Sequence, residues 1–386
     1  MAKYVFIDII PHPLMNIMHN YLYEMLEHDY KVFYSGPGDL HRRWENMPKI
    51  NYEYEILPGY PLRLKKREDT ITFWLNYSVG KALKNSGCKL VMISGWETLA
   101  CFSAGWFCHR SGTPYMVFSS STELEKSWRR TLTKPLVRRF VKNAVSYVVC
   151  GKQAKDYLVS LGAMPERIFS IVNGVDNEFF LKNSRLSGED KKTLKNSLGL
   201  PSGPIVLFVG QLIKRKGILI LLEAFRLLRE SGVIVSLLIV GTGQLEKEIK
   251  EFADKYSDKS IYLTGHIEMK DLPKYYGIAD IFILPSLEEV WGYVINEAMA
   301  SGLPVIVSDV VGAADELVDD GKTGIIVPAG SANAVADEIR KLIYDEKLRI
   351  SMGSQSLKKI QSHTIKSQTQ DYADAIKKTE KREWQI

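Results

Sequence analysis

Ile281-Phe282-Ile283-Leu284-Pro285-Ser286-Leu287-Glu288-Glu289-Val290-Trp291-Gly292-Tyr293-Val294-Ile295-Asn296-Glu297-Ala298-Met299-Ala300-Ser301-Gly302-Leu303-Pro304 is the stretch on which the fold turns. It begins as a short apolar run and ends as a helical pattern, with a Pro/Ser/Gly-containing loop between. A loop that leaves a strand and opens a helix directs backbone N–H groups at the strand ends, which makes an anion site. Gly292 lets a ligand approach the backbone closely. Glu289 precedes the helix and Glu297 lies about a turn inside it, so both can face one cavity. Carboxylates accept hydrogen bonds and suit sugar hydroxyls. Taken alone, Glu288, Glu289 and Glu297 also read as solvated helix-end charges.

Outward from this stretch the same strand–helix alternation continues. Strand-like runs lie at Ile205–Val209, Val233–Val240, Ser260–Leu263, Val305–Val307 and Gly324–Val327. Helical patterns separate them, including Ile218–Glu230, Gln244–Tyr256 and Ala332–Tyr344. The first half repeats the plan, with strand-like runs at Tyr4–Ile10, Lys31–Tyr34, Leu90–Ser94, Tyr115–Phe118, Tyr147–Cys150 and Ile168–Val172. Helical patterns there include Asn16–Glu27, Thr70–Lys84, Thr98–Arg110 and Gln153–Leu161. Strands this apolar, alternating with helices, predict mainly parallel sheets covered on both faces. The polar stretch Leu181–Gly203 reads as a linker. The expected architecture is α/β, with two Rossmann-like, doubly wound domains facing each other across a cleft: 1–183, 184–366, and a C-terminal helix over 367–386 packing back towards the first domain. Ligands of such sheets bind beyond the carboxyl ends of the strands.

Composition narrows the partners. The chain has 386 residues with a net charge of +6. Residues 1–185 hold 25 Lys and Arg against 17 Asp and Glu, whereas the remainder holds 26 against 28. A basic first half points to an anionic partner on that side. The basic stretches Lys65-Lys66-Arg67, Lys126-Ser127-Trp128-Arg129-Arg130 and Arg138-Arg139-Phe140-Val141-Lys142 could lie on an anionic bilayer, or simply be solvated. The aromatic and RNA-motif patterns of a nucleic-acid binder are missing, so no nucleic acid is expected. No leader-like pattern opens the sequence and no apolar run reaches spanning length, so the expected location is cytoplasmic, with a peripheral place on the inner face of the membrane as the alternative. Cys88, Cys101, Cys108 and Cys150 sit in apolar segments and read as buried thiols.

Glu289 and Glu297, seven residues apart inside their flanking Pro285-Ser286, Gly292, Glu297-Ala298-Met299-Ala300 and Gly302-Leu303-Pro304, resemble the E-x7-E motif of the retaining group 1 glycosyltransferases, the family-4 type with the GT-B fold. Asn173-Gly174-Val175-Asp176, Phe208-Val209-Gly210-Gln211-Leu212-Ile213-Lys214-Arg215-Lys216-Gly217, Ile239-Val240-Gly241-Thr242-Gly243, Leu263-Thr264-Gly265-His266, Asp309-Val310-Val311-Gly312-Ala313 and Gly321-Lys322-Thr323-Gly324 are similar to further elements of that family. The resemblance implies a hexosyl transfer from a UDP- or GDP-sugar to a glycan or lipid-linked acceptor in cell-surface polysaccharide or glycoconjugate synthesis. It implies no cofactor and no metal. It implies catalytic roles for Glu289 and Lys216, the first at the transferred sugar and the second at the diphosphate. Glu297 would bind the ribose hydroxyls. Backbone N–H groups near Val290, Trp291, Gly292 and Tyr293 would hold phosphates and sugar, Gly210 and Gln211 would line the donor loop, and Ile267 would meet the nucleobase.

Two departures from the family pattern stand out. Many relatives carry Arg where Gln211 stands, so charge on the diphosphate rests more on Lys216. A His common after the fifth strand is replaced by Ser119-Ser120-Ser121-Thr122-Glu123. His12, Ser120 and Glu123 are acceptor-side candidates by position only, each more readily read as a loop residue with a structural hydrogen bond. Rival chemistries are another GT-B activity, such as a sugar-nucleotide epimerase or a phosphorylase, and a nicotinamide oxidoreductase. For the last, Gly241-Thr242-Gly243-Gln244-Leu245-Glu246 lacks the third glycine of a dinucleotide fingerprint.

Overall fold

A computed structural model describes residues 2–38, 47–66, 69–124, 128–255 and 260–382. The chain divides into two compact units, Met1–Val172 with Ile365–Ile386, and Asn173–Thr364. The polar stretch Leu181–Gly203 lies inside the second.

The first unit is built on strands β1 (Tyr4–Asp8), β2 (Tyr30–Tyr34), β3 (Glu53–Ile56), β6 (Leu90–Ser94), β7 (Tyr115–Ser119), β8 (Ser146–Cys150) and β9 (Ile168–Ile171). Between β3 and β6 the chain forms a separate antiparallel hairpin of β4 (Gly59–Lys66) and β5 (Asp69–Asn76). The seven strands form one parallel sheet in the order β3-β2-β1-β6-β7-β8-β9. Val5, Ile7, Val91, Ile93 and Val117 are wholly buried, as expected of a sheet covered on both faces. The C-terminal helix Ile365–Lys381 belongs to this unit. Its Tyr372 ring stacks on Phe118 at 4.7 Å, and Thr379 Oγ1 lies 2.8 Å from Ser146 Oγ.

The helix expected over Thr70–Lys84 is split: Asp69–Asn76 is β5, and only Val79–Ser86 is helical. Thr70, Ile71, Thr72, Phe73 and Trp74 are β-branched or aromatic, residues that lose χ1 freedom in a helix and favour a strand. Strand β3 has no counterpart in the sequence reading, because Glu53, Tyr54, Glu55 and Ile56 are all exposed and carry no apolar run. Arg67, Lys126 and Ser127 lie outside the described residues, as do the side chains of Lys65, Lys66, Trp128 and Arg129.

The second unit carries β10 (Ile205–Val209), β11 (Ser236–Val240), β12 (Ile261–Gly265), β13 (Ile281–Leu284), β14 (Val305–Ser308) and β15 (Gly324–Val327). They form one parallel sheet in the order β12-β11-β10-β13-β14-β15. Every residue of β10, β11, β13 and β14 is buried. Successive strands run outward from β10 in one direction and from β13 in the other. The crossovers from these two central strands therefore leave on opposite faces, and a crevice opens between their carboxyl ends. Among the described residues no helix is long and apolar enough to cross a membrane.

Candidate active site

The crevice between β10 and β13 is where the second unit gathers its chemistry. After β10 the chain runs through Gly210 and the exposed Gln211 to a single 3-10 turn, Lys214–Lys216, which ends on Gly217. Gly217 adopts φ +71°, and a Cβ there would overlap the Pro285 carbonyl. Only glycine admits this approach, and it brings the two loops together. The Arg215 carbonyl accepts from Leu287 N at 2.7 Å, so the loop after β13 is stitched to the loop after β10.

This stitching places Lys216 against Glu289, 73 residues away in sequence. Their side chains form an ion pair, with only 13% and 11% of each exposed. Glu289 is fixed from its other side by the loop that follows β14. Its carbonyl accepts from Gly312 N at 3.0 Å, and its backbone bridges to Val311. The pair is thus a cation and an anion held side by side in a water-poor loop cluster at the strand ends.

Gly292 follows at φ +95° and caps the helix Tyr293–Ala300. Helix N-termini leave N–H groups unpaired and favour negative charge. Tyr293 is partly exposed, and Val290 and Gly292 lie close by in the same loop. Trp291 does not present its ring to solvent. It is buried, and its indole N–H donates to Asn296 Oδ1 at 3.0 Å. Asn296 Nδ2 in turn donates to the Asn173 carbonyl at 2.7 Å. The Trp291 side chain is a fastening for the loop, and its carbonyl accepts from Ala313 N at 3.0 Å.

Glu297 is 5% exposed and accepts from the Tyr276 hydroxyl at 2.7 Å. Burial pushes its carboxyl up to about 7, and the bond from Tyr276 acts in the opposite direction. Tyr276 is itself fully buried, and burial drives its phenol well above the ordinary value. The sequence reading missed Tyr276. The available signal was a tyrosine within a short apolar helix, whose hydroxyl must find a partner when buried. Ile267 is half-buried just past the end of β12, on the same edge of the sheet as the other strand ends.

In the first unit, His12 is half-buried at the start of the helix Pro13–Met25, and its side chain does not cap that helix. Ser120 is half-buried directly after β7, and Glu123 is exposed further along that loop. All three therefore follow carboxyl ends of strands. The sequence reading did not find the polar cluster behind His12. Asp8, at the end of β1, accepts from Ile9 N at 2.8 Å and lies 3.3 Å from His19 Nε2, while His19 Nδ1 lies 2.6 Å from the Tyr30 hydroxyl. Asp8 and His19 are both buried, and their contact ties the second turn of the helix that His12 precedes to the end of β1.

The profile described as glycosyl transferases group 1 matches residues 190–359, and that of glycosyltransferase family 4 matches residues 19–179. The capsular polysaccharide biosynthesis glycosyltransferase CapM of Staphylococcus aureus is 32% identical over 197 residues, covering 50% of each chain. The match thus spans about half the length of that relative. An uncharacterized glycosyltransferase of Methanocaldococcus jannaschii is 29% identical over 312 residues, 76% of this chain and 78% of the relative. The crystal structure of HepE from Anabaena in complex with UDP superposes with a TM-score of 0.77 at 18% identity, covering 97% of this chain and all of HepE. That likeness shows the fold, while the two profiles between them account for most of both halves of the sequence. The chain belongs to the group 1, family 4 glycosyltransferases, homologous to that family's retaining enzymes and built on its GT-B fold.

Proposed function

We propose that the protein is a retaining glycosyltransferase that moves a hexose-type sugar from a UDP- or GDP-linked donor to a glycan or lipid-linked acceptor in cell-surface polysaccharide or glycoconjugate synthesis, without a metal. The observation that carries this reading is the buried Lys216–Glu289 pair at the carboxyl ends of β10 and β13, with the Gly292 helix start next to it. A departing nucleoside diphosphate builds negative charge on its oxygens. A fixed ammonium and helix-start N–H groups stabilise that charge without reorganising. Lys216 takes the diphosphate, Glu289 the transferred sugar, Glu297 the ribose diol, and the backbone of Ile267 the base. The bond from sugar C1 to the phosphate oxygen breaks with its electron pair going to the diphosphate. The acceptor oxygen bonds to C1 from the same face, and its proton leaves on that phosphate oxygen.

HepE has been crystallised with UDP-glucose, and CapM is a capsular polysaccharide enzyme by name, which supports a nucleotide-sugar donor and a surface glycan product. A membrane-bound acceptor is supported by the helix Trp128–Asn143. It contains no acidic residue, and Leu132 and Leu136, one turn apart, are 69% and 62% exposed beside exposed Arg138, Arg139 and Lys142. Apolar side chains flanked by cations suit an anionic bilayer surface.

The test is a thermal-shift series followed by a donor screen. Stabilisation by UDP or GDP, with none by NADH, is the expected result; the reverse refutes the reading. Incubation of nucleotide-sugars with membrane extract, read by mass spectrometry, should release nucleotide only when an acceptor is present. Sugar isomerisation without an acceptor would mark an epimerase instead.

A further inference from the structure

We propose that Tyr276 is a positioning residue of the donor site, its buried hydroxyl holding the Glu297 carboxylate in place to accept both hydroxyls of a ribose diol. The proposal rests on the reading of Glu297 as the ribose ligand.

Tyr276 projects from the short helix Leu272–Ile278 and is completely buried. Its ring is clamped between Phe180, edge-on at 5.9 Å, and Phe282 of β13 at 5.8 Å. Two aromatic neighbours leave the ring little freedom, so the hydroxyl position is set by the core. That hydroxyl lies 2.7 Å from Glu297 Oε2. Among the described residues it is the one side chain hydrogen-bonded to this carboxylate. Each carboxylate oxygen has two acceptor sites. With one site on Oε2 taken by the phenol, the carboxylate keeps one site on Oε2 and those on Oε1, enough for a pair of vicinal hydroxyls. A carboxylate left to rotate would bind the same diol at a cost in ordering.

The phenol also governs the charge of its partner. Burial favours the neutral acid, and the donated hydrogen bond favours the carboxylate. Among the described residues no other group contests this balance. Strands β13 and β14, which pack on the helix Tyr293–Ala300, carry no ionisable residue. On the adjoining helix Asn177–Ser184, Glu178 and Lys182 are exposed. On the helix Glu346–Ile360, Glu346, Lys347 and Lys358 are exposed, Arg349 binds the Leu342 carbonyl, and Lys359 pairs with Asp319. On Tyr276's own helix Lys274 pairs with Asp271, and Tyr275 is half-buried.

The experiment is calorimetric titration of UDP and GDP into the full chain between pH 6 and 9, for wild type, Tyr276→Phe and Glu297→Gln. Wild-type affinity should weaken below about pH 7 as Glu297 takes up its proton. Tyr276→Phe should bind about 10-fold more weakly at pH 7 and recover only part of that loss by pH 9, because its acid limb has moved upward while the lost ordering of the carboxylate persists. Full recovery at pH 9, an acid limb that does not move, or no loss overturns the proposal. Glu297→Gln should abolish the acid limb. If it instead binds like wild type throughout, the ribose reading of Glu297 is what fails. Should Tyr276→Phe not fold, Phe180→Leu, which loosens the ring while keeping the hydroxyl, should move the limb in the same direction by less; an unmoved limb overturns the proposal.

Discussion

Replacing Lys216 with Met removes the cation of a pair that is almost nine-tenths buried, and leaves the Glu289 carboxylate facing a water-poor loop cluster. Surface pairs contribute up to about 1 kcal/mol, and breaking a fully buried pair costs about 3–5 kcal/mol. The residual exposure puts this pair between those limits, at about 2 kcal/mol for Lys216→Met. Glu289→Gln should cost a similar amount, since it strands the ammonium. The double variant removes both charges and should cost only about 1 kcal/mol, a coupling of about 3 kcal/mol. For a unit of this size about 1 kcal/mol corresponds to about 2–4 °C in Tm, so each single variant should melt about 4–8 °C lower and the double variant only a few degrees lower. Activity must behave differently. A charge-assisted bond to the diphosphate is worth about 1.5–3 kcal/mol, so Lys216→Met should lose about 10- to 100-fold in kcat/KM, and the double variant should recover stability but not rate. Thermal unfolding and donor kinetics on the three proteins decide the matter. Single-variant losses in Tm that simply add in the double variant refute the coupling. Recovery of both stability and rate refutes a role for Lys216 at the diphosphate.

Three further outcomes follow from the same geometry. Glu297 holds its proton more tightly when folded, about 7 against an ordinary 4.5, so its contribution to stability is complete below about pH 4.5 and is lost as pH rises through 7. The span is about 3 kcal/mol, and denaturant unfolding at pH 5 and pH 8 should show the difference in wild type but not in Glu297→Gln. Gly217→Ala forces a Cβ onto the Pro285 carbonyl at a positive φ; it should destabilise by more than about 2 kcal/mol and weaken UDP binding, and a wild-type Tm would contradict the close approach. Asn296→Leu strands the buried Trp291 indole N–H and removes one donor to the Asn173 carbonyl, at a cost of about 1–3 kcal/mol, part of which Trp291→Phe should restore when the two are combined, as chemical denaturation can measure.

Much of the second unit was legible because its signals are local. An apolar run of strand length, a glycine at the helix start and two glutamates with a fixed spacing lie within one stretch of chain, Ile281–Glu297, and strand β13, the Gly292 cap and the helix Tyr293–Ala300 stand where that stretch reads. The hairpin was not legible in the same way. Thr70–Lys84 carries enough apolar residues to mimic a helix period, and the pairing of Tyr60 with Leu75 and Leu62 with Phe73 is a property of two segments together.

By itself, then, the order of residues determined the parallel α/β layers, the family and the candidates Lys216, Glu289 and Glu297, since periodicity, turn chemistry and motif spacing act between near neighbours. Only the tertiary structure decided that Lys216 closes on Glu289, that Tyr276 holds Glu297, and that Asn296 reaches the Asn173 carbonyl. The first of these contacts depends on β10 and β13 lying side by side and on Gly217 admitting a carbonyl where any other residue would place a Cβ. Adjacency of this kind is set by strand order and close backbone approach, which no local pattern encodes.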